Sequence, residues 1–171
     1  MNKRGAYFFV IDALIGASII FLSLIIIFNT NFSSPESNPT LRMMEDYTDY
    51  LVSTRVREIQ GPITAKLVSN GNITNVDNTL LEQLTEFYYL NVTGARDTTN
   101  IMWDFTDEIS KGLVSEQRSF SVYVNKTLVY EDIDSVLDQS RLVVNSKKIS
   151  YKRINDTFIY GPVIIEVKLW V

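Results

Sequence analysis

The sequence predicts an α+β protein with a long N-terminal hydrophobic helix, followed by short helices and a C-terminal antiparallel β-sheet. Three observations lead to this fold class. Residues 6–28 form an almost uninterrupted apolar run, residues 39–111 carry apolar side chains at helical spacing, and residues 163–171 alternate aliphatic with other side chains. Spacings of three to four residues are typical of amphipathic helices, and a spacing of two is typical of strands.

The apolar run of residues 6–28 contains one charge, Asp12. A helix rises roughly 1.5 Å per residue, so this run would extend about 35 Å, enough for a hydrocarbon core of about 30 Å. We therefore expect a basic leader at residues 1–5 and a transmembrane or filament-core helix at residues 6–28. The run exceeds the roughly 7–15 apolar residues of a removable signal peptide, and no small-x-small cleavage pattern follows it near Asn29. The helix is expected to stay on the chain.

Two basic residues predict the orientation. Lys3 and Arg4 precede the apolar run, and the next base after it is Arg42. Short segments rich in Lys and Arg tend to remain in the cytoplasm. The expected location is the cell membrane, crossed once with the N-terminus inside, with the remaining domain on the cell surface or in an extracellular filament.

The middle of the chain predicts a linker and three short helices. Residues 29–40 are rich in Ser, Asn and Pro and form the expected linker, so that residues 41–171 are the exterior α+β domain. A helix is expected over residues 39–60, ended by Gly61-Pro62. Thr79-Leu-Leu-Glu82 has the pattern of a capping box and predicts a second helix to about Leu90. A third helix is expected over residues 100–111, with Gly112 as its stop.

The last third of the chain predicts strands. Apolar and polar residues alternate from Phe120 to Val124, and a turn at Asn125-Lys126 would return residues 127–130 as a hairpin. Further strands are expected at residues 141–144 and 148–153. Residues 163–171 place five aliphatic side chains on one face, so this strand is expected to be central or tightly packed.

Composition excludes several classes of function. The chain of 171 residues has no cysteine and no histidine, which removes disulfides, thiolate metal sites and serine–histidine or cysteine–histidine catalysis. Its net charge of -4 gives no basic footprint for nucleic acid. Acidic residues cluster at 104–108 and 131–138, but without EF-hand spacing, which favours a solvated surface over a calcium site. We expect no catalytic residues, no metal, no cofactor and no enzyme activity.

Asparagine sequons predict a glycoprotein. Five tripeptides fit Asn-x-Ser/Thr without a central proline, and each falls in the part expected outside: Asn31, Asn72, Asn91, Asn125 and Asn155. An acceptor asparagine needs accessible backbone, as in surface loops. Asn72 and Asn91 are expected in loops, and Asn125 and Asn155 at hairpin turns.

The N-terminus resembles the class III signal peptide of type IV prepilins. Lys3-Arg4-Gly5 is followed at once by Tyr7-Phe8-Phe9-Val10-Ile11-Asp12-Ala13-Leu14, and the similarity covers residues 1–28. It is closest to archaeal pilin-like proteins, since a bacterial pilin would carry glutamate where this chain has Val10. The resemblance implies cleavage by a prepilin-type peptidase between Gly5 and Ala6. It also implies that Asp12 takes part in assembly, pairing with the new amino group of a neighbouring subunit.

The resemblance implies a structural subunit, a major or minor pilin or a pseudopilin, of a type IV pilus-like surface filament. Its expected partners are copies of itself or related pilins through the N-terminal helix, the membrane before assembly, and the peptidase. The alternative is a single-pass surface protein that does not assemble and whose exterior domain binds a partner or ligand. Asp12 also has an alternative role, as a carboxylate tolerated near the membrane interface.

Overall fold

The computed structural model describes the backbone of residues 3–32, 39–113, 118–132 and 142–170, and within the first helix the side chains of residues 11–25. The chain divides into two compact units, residues 1–38 and residues 39–171. In the first unit, the described residues form the helix α1 (Lys3–Phe32).

The expectation of an apolar helix that crosses a membrane is wrong. Among the described residues, no helix combines the length and apolarity needed to cross a bilayer.

The second unit begins with four helices around one short turn. These are α2 (Pro39–Ser53), a 3-10 turn (Val56–Glu58), α3 (Pro62–Ser69), α4 (Leu80–Val92) and α5 (Thr99–Ser110). The helix expected over residues 39–60 is therefore shorter than predicted. Helix α3 was not predicted, although Pro62 at its first position is a common helix start.

Local signals correctly placed the last two helices. The Thr79 side chain accepts a hydrogen bond from the Glu82 backbone N–H at 3.2 Å, and the Glu82 carboxylate accepts one from the Thr79 N–H at 2.9 Å. This capping box starts α4 as predicted. Gly112, with φ of 80°, follows the end of α5, where a side chain would be strained.

Four antiparallel strands follow: β1 (Ser119–Val124), β2 (Thr127–Asp132), β3 (Val143–Arg153) and β4 (Ile159–Trp170), in the sheet order β2-β1-β4-β3. The predicted hairpin β1–β2 is confirmed, and its turn holds Asn125 and Lys126 at positive φ. The two short strands expected at 141–144 and 148–153 are one continuous strand, β3. The last strand is central, as predicted, because β4 pairs with both β1 and β3.

The helices cover one face of the sheet and enclose the core there. Val163, Ile165, Val167 and Leu169 of β4 are buried, and they alternate with the half-buried Glu166 and Lys168. Core side chains from the helices include Leu51, Leu84, Phe87 and Phe105, all fully buried. Because strand side chains alternate between faces, the second face of the sheet carries Ile164, Glu166 and Lys168 of β4 with their neighbours.

Candidate functional site

The surface of α1 is apolar on every side over residues 11–25. Large aliphatic and aromatic side chains are exposed throughout this stretch, by between 45 % and 65 % of their surface. They are Ile11, Leu14, Ile15, Ile19, Ile20, Phe21, Leu22, Leu24 and Ile25. Residues 19–22 are consecutive and point in all directions around the helix. A surface of this kind is stable only when another apolar surface covers it.

The two serine hydroxyls on this stretch are hydrogen-bonded within the helix and do not need water as a partner. Ser18 donates to the Leu14 carbonyl and Ser23 to the Ile19 carbonyl, both at 2.8 Å, so both hydroxyls are satisfied within the helix. Gly16 has open space around it, with no atom within 4 Å of an added Cβ. Asp12 is exposed and forms no ion pair with a described residue. Within residues 11–25, Asp12 is thus the charged group that a covering partner must neutralise.

The predicted processing residues fall at the start of α1. The helix begins at Lys3, and Arg4, Gly5 and Ala6 follow in its first turns. Their side chains lie outside the described residues. The sequon Asn31 lies in the last turn of the same helix, also without a described side chain.

The four sequons of the second unit differ in how their asparagines are held. The Asn72 Oδ1 accepts from Arg96 at 2.6 Å. Asn91 lies within α4 and not in the predicted loop, and its Oδ1 faces the Thr98 N–H at 3.4 Å. The Asn125 Oδ1 accepts from the Ile164 N–H at 2.9 Å, which ties the β1–β2 turn to β4. These three amides serve the fold.

Asn155 is arranged differently. It lies in the exposed connection between β3 and β4, and its Oδ1 accepts from the Thr157 N–H and hydroxyl, both at 3.0 Å, and from the Phe158 N–H at 2.8 Å. The Asn155 side chain is therefore hydrogen-bonded to residues of its own turn, and it is exposed at the tip of a hairpin. Its geometry makes Asn155 the most accessible acceptor among the described sequons.

A buried polar network joins α4 to β3, and no sequence pattern pointed to it. The Lys152 Nζ lies 2.7 Å from the Glu86 Oε2 and donates to the Asn78 Oδ1 at 2.8 Å. The Asn78 amide in turn donates to Glu86 at 2.8 Å and to Gln83 at 2.9 Å. Lys152 and Glu86 are 66 residues apart, so only the tertiary fold brings them together. The network borders a cleft of about 280 Å³ that Tyr89 also lines.

Two residues of the first acidic cluster, Asp107 and Glu108, have structural roles. The Glu108 carboxylate accepts from the backbone N–H groups of Ile63 and Thr64, both at 2.7 Å, and so caps the N-terminus of α3. Asp107 forms an ion pair with Lys111 at 2.6 Å and accepts from the Tyr130 hydroxyl at 3.0 Å. Residues 133–141, with the rest of the second cluster, lie outside the described part. Within that part, no group of acidic side chains is arranged to hold a metal ion.

Two buried tyrosines, Tyr47 and Tyr130, have a raised pKa. Burial raises the pKa of Tyr47 well above its usual range, and the Tyr47 hydroxyl lies 2.8 Å from the Ser110 hydroxyl. Burial also raises the pKa of Tyr130, and its hydrogen bond to Asp107 adds to the effect. A hydroxyl with a raised pKa is a poor nucleophile and a poor base near neutral pH. These groups contribute to packing and hydrogen bonding.

Comparison of the chain with known protein families, curated proteins and solved structures finds no match.

Proposed function

We propose that this chain is a structural subunit of a type IV pilus-like filament, in which α1 packs against α1 of other subunits and the second unit forms the outer surface. The observation that carries the proposal is the apolar surface of residues 11–25, exposed on all sides. Such a helix requires apolar neighbours around its full circumference, and a bundle of identical helices supplies them.

The N-terminal motif gives a second, independent support. Lys3-Arg4-Gly5 resembles the peptidase site of prepilins, and cleavage after Gly5 leaves Ala6 with a free amino group. Removal of Lys3 and Arg4 also removes both bases that precede the apolar run. The mature helix then starts with an apolar stretch whose described part carries one charge, Asp12.

Asp12 is the proposed registration point of the bundle. A carboxylate moved into an apolar helix bundle is costly unless it gains a cation or a proton. The Ala6 amine of a neighbouring subunit, displaced along the filament axis, is a cation that each subunit supplies. Any slip of one helix along another would separate the two charges, so the pair selects one axial register.

The test of this proposal has two parts in the native host. N-terminal sequencing should find a mature chain that starts at Ala6, and Gly5→Val should leave it starting at Met1. A wild-type chain that starts at Met1 would refute the proposal.

The second part concerns assembly. Asp12→Asn keeps the shape of the side chain and removes its charge, so it should leave cleavage intact and reduce the number of filaments counted by electron microscopy. Ser18→Ala is the matched control, since Ser18 bonds within its own helix. Equal filament counts for Asp12→Asn and wild type would exclude the pairing with Ala6.

The alternative function is a surface protein that does not assemble and whose second unit binds a partner or ligand. The cleft beside Glu86 and Lys152 is the feature that favours it, since the cleft combines charged groups with Tyr89. The same cells distinguish the two functions. The alternative predicts a monomeric protein and no filaments that contain it.

A further inference from the structure

The two edges of the β-sheet carry opposite charge. Strand β3 forms one edge and contains four bases and no acid, while β2 forms the other edge and contains Glu131 and Asp132 and no base. Among the described residues, no strand pairs with the outer side of either edge. An open edge strand presents backbone N–H and C=O groups that can pair with another strand.

Most of the charge on the β3 edge is available to a partner. Lys147 lies 3.4 Å from Glu166 and Lys148 lies 3.6 Å from Asp49, but both lysines are partly exposed, and such surface pairs are weak. Arg153 is exposed, with no ion pair to a described residue. Lys152 is different, because its buried pair with Glu86 commits it to the fold. Three of the four bases of β3 thus remain for an acidic partner.

The strand directions allow the two edges to join. Each neighbouring pair in the sheet β2-β1-β4-β3 is antiparallel, so β2 and β3 run in opposite directions. When a second copy is displaced sideways without being turned over, its β2 lies antiparallel beside β3 of the first copy. The result is one continuous antiparallel sheet.

One register matches charge and apolar side chains together. Glu131 is paired with Ser121 and Lys147 with Glu166, which places both on the sheet face away from the helices. With Glu131 of one copy opposite Lys147 of the next, Asp132 becomes a diagonal neighbour of Lys148 on the other face. Opposite Val122 and Tyr123 of β1, strand β2 has one extra residue, Val129, between Tyr130 and Leu128. The same extra residue brings Leu128 of one copy opposite Ile149 of the next. Leu128 is 44 % exposed and Ile149 is 61 % exposed, so each gains cover from the other.

We infer that β2 of one copy pairs with β3 of a second copy, so that the second unit associates head to tail through its sheet edges. Charge excludes the two symmetric arrangements. Pairing β3 with β3 sets lysine against lysine, and pairing β2 with β2 sets acid against acid, both of which are destabilising. A head-to-tail contact repeats without closing on itself and extends a row of subunits. This inference goes beyond the proposed function, since it concerns the second unit and requires no contact of α1.

The absence of cysteine from the chain permits a direct test by disulfide cross-linking. The single variants Leu128→Cys and Ile149→Cys are made in the full chain, in a non-ionic detergent that covers α1, and oxidised at high protein concentration. Directly opposite residues of antiparallel strands have Cβ atoms about 4.5–5.5 Å apart, close to the range that a disulfide needs. Mixing the two variants should give a dimer, and the double variant should give a ladder of dimers, trimers and larger species.

The controls separate edge pairing from chance collision. Val52→Cys with Val92→Cys places two exposed thiols on helices and should give only background. Reversing two charges with Lys147→Glu and Lys148→Glu should lower the cross-linked yield of the double variant about tenfold. Adding Glu131→Lys and Asp132→Lys should restore it. The change Arg42→Glu with Lys66→Glu alters net charge equally on exposed helix positions and should have no effect.

Two results would overturn the inference. A dimer from Ile149→Cys alone at the yield of the mixture would indicate a symmetric β3 pair, and a double variant with no more ladder than the helix control would indicate free edges. Tryptophan fluorescence checks that each variant is folded, since Trp103 and Trp170 both lie in the second unit. If filaments form but the cross-linked ladder is absent, the β2–β3 contact is refuted and the proposed function is not.

Discussion

Replacing Lys152 by methionine should destabilise the second unit by leaving Glu86 buried without its cation. The two side chains are 12 % and 11 % exposed, and their charged atoms are 2.7 Å apart. Removal of one partner from a fully buried pair typically costs about 3–5 kcal/mol. The neighbouring cleft of about 280 Å³ gives the orphaned carboxylate partial access to water. Asn78 also continues to donate to Glu86 at 2.8 Å. Both features reduce the cost, and we expect about 2–3 kcal/mol.

The double variant Lys152→Met with Glu86→Gln tests the mechanism. The glutamine keeps an acceptor for Asn78 and Thr74 and removes the charge that lacked a partner. Replacement of both members of a buried pair is often nearly neutral. We therefore expect the double variant to recover at least half of the stability that the single variant loses.

Urea unfolding followed by tryptophan fluorescence measures these effects, because both tryptophans lie in the second unit. A loss of about 2–3 kcal/mol corresponds to a fall in Tm of roughly 10 °C for a unit of this size. The matched control is Lys66→Met, an exposed lysine on α3, which should change stability by less than about 0.5 kcal/mol. If Lys152→Met is as stable as this control, or the double variant is less stable than the single one, the ion pair does not stabilise the fold as argued.

Three further predictions follow from the described contacts. Val167→Asp places a carboxylate on the core face of a central strand and should lower the free energy of unfolding by several kcal/mol. Ile164→Asp, on the exposed face of the same strand, should lower it little. Equal urea midpoints for the two variants would mean that β4 is peripheral. Glu108→Ala removes the cap of α3 and should cost about 1–2 kcal/mol, compared with no measurable loss for the exposed Glu45→Ala. In a host that glycosylates sequons, Thr157→Ala should remove one glycan and Asn91→Gln should remove none, as measured by mass spectrometry. The reverse outcome would contradict the ranking of the acceptor asparagines by their geometry.

Local signals in the sequence determined much of the secondary structure. The Thr79–Glu82 capping box, the alternation in β1 and β4 and the turn at Asn125-Lys126 each depend on residues close together in the chain, and each appears where it was predicted. Composition alone excluded catalysis by cysteine or histidine. The apolar run at the N-terminus predicted a helix, and α1 contains that run. The prediction that this helix crosses a membrane was wrong, since no helix among the described residues is long and apolar enough to do so.

The tertiary structure decided the contacts that join distant segments. Lys152 meets Glu86, and Glu108 caps α3, because strands and helices far apart in sequence pack against each other. The accessibility of each sequon asparagine was also decided by tertiary contacts. Asn72 is bound by Arg96 and Asn125 by β4, whereas Asn155 bonds within its own turn. Short-range patterns encode backbone preference and burial of one face, whereas the partner of a buried charge depends on how the elements are placed in space.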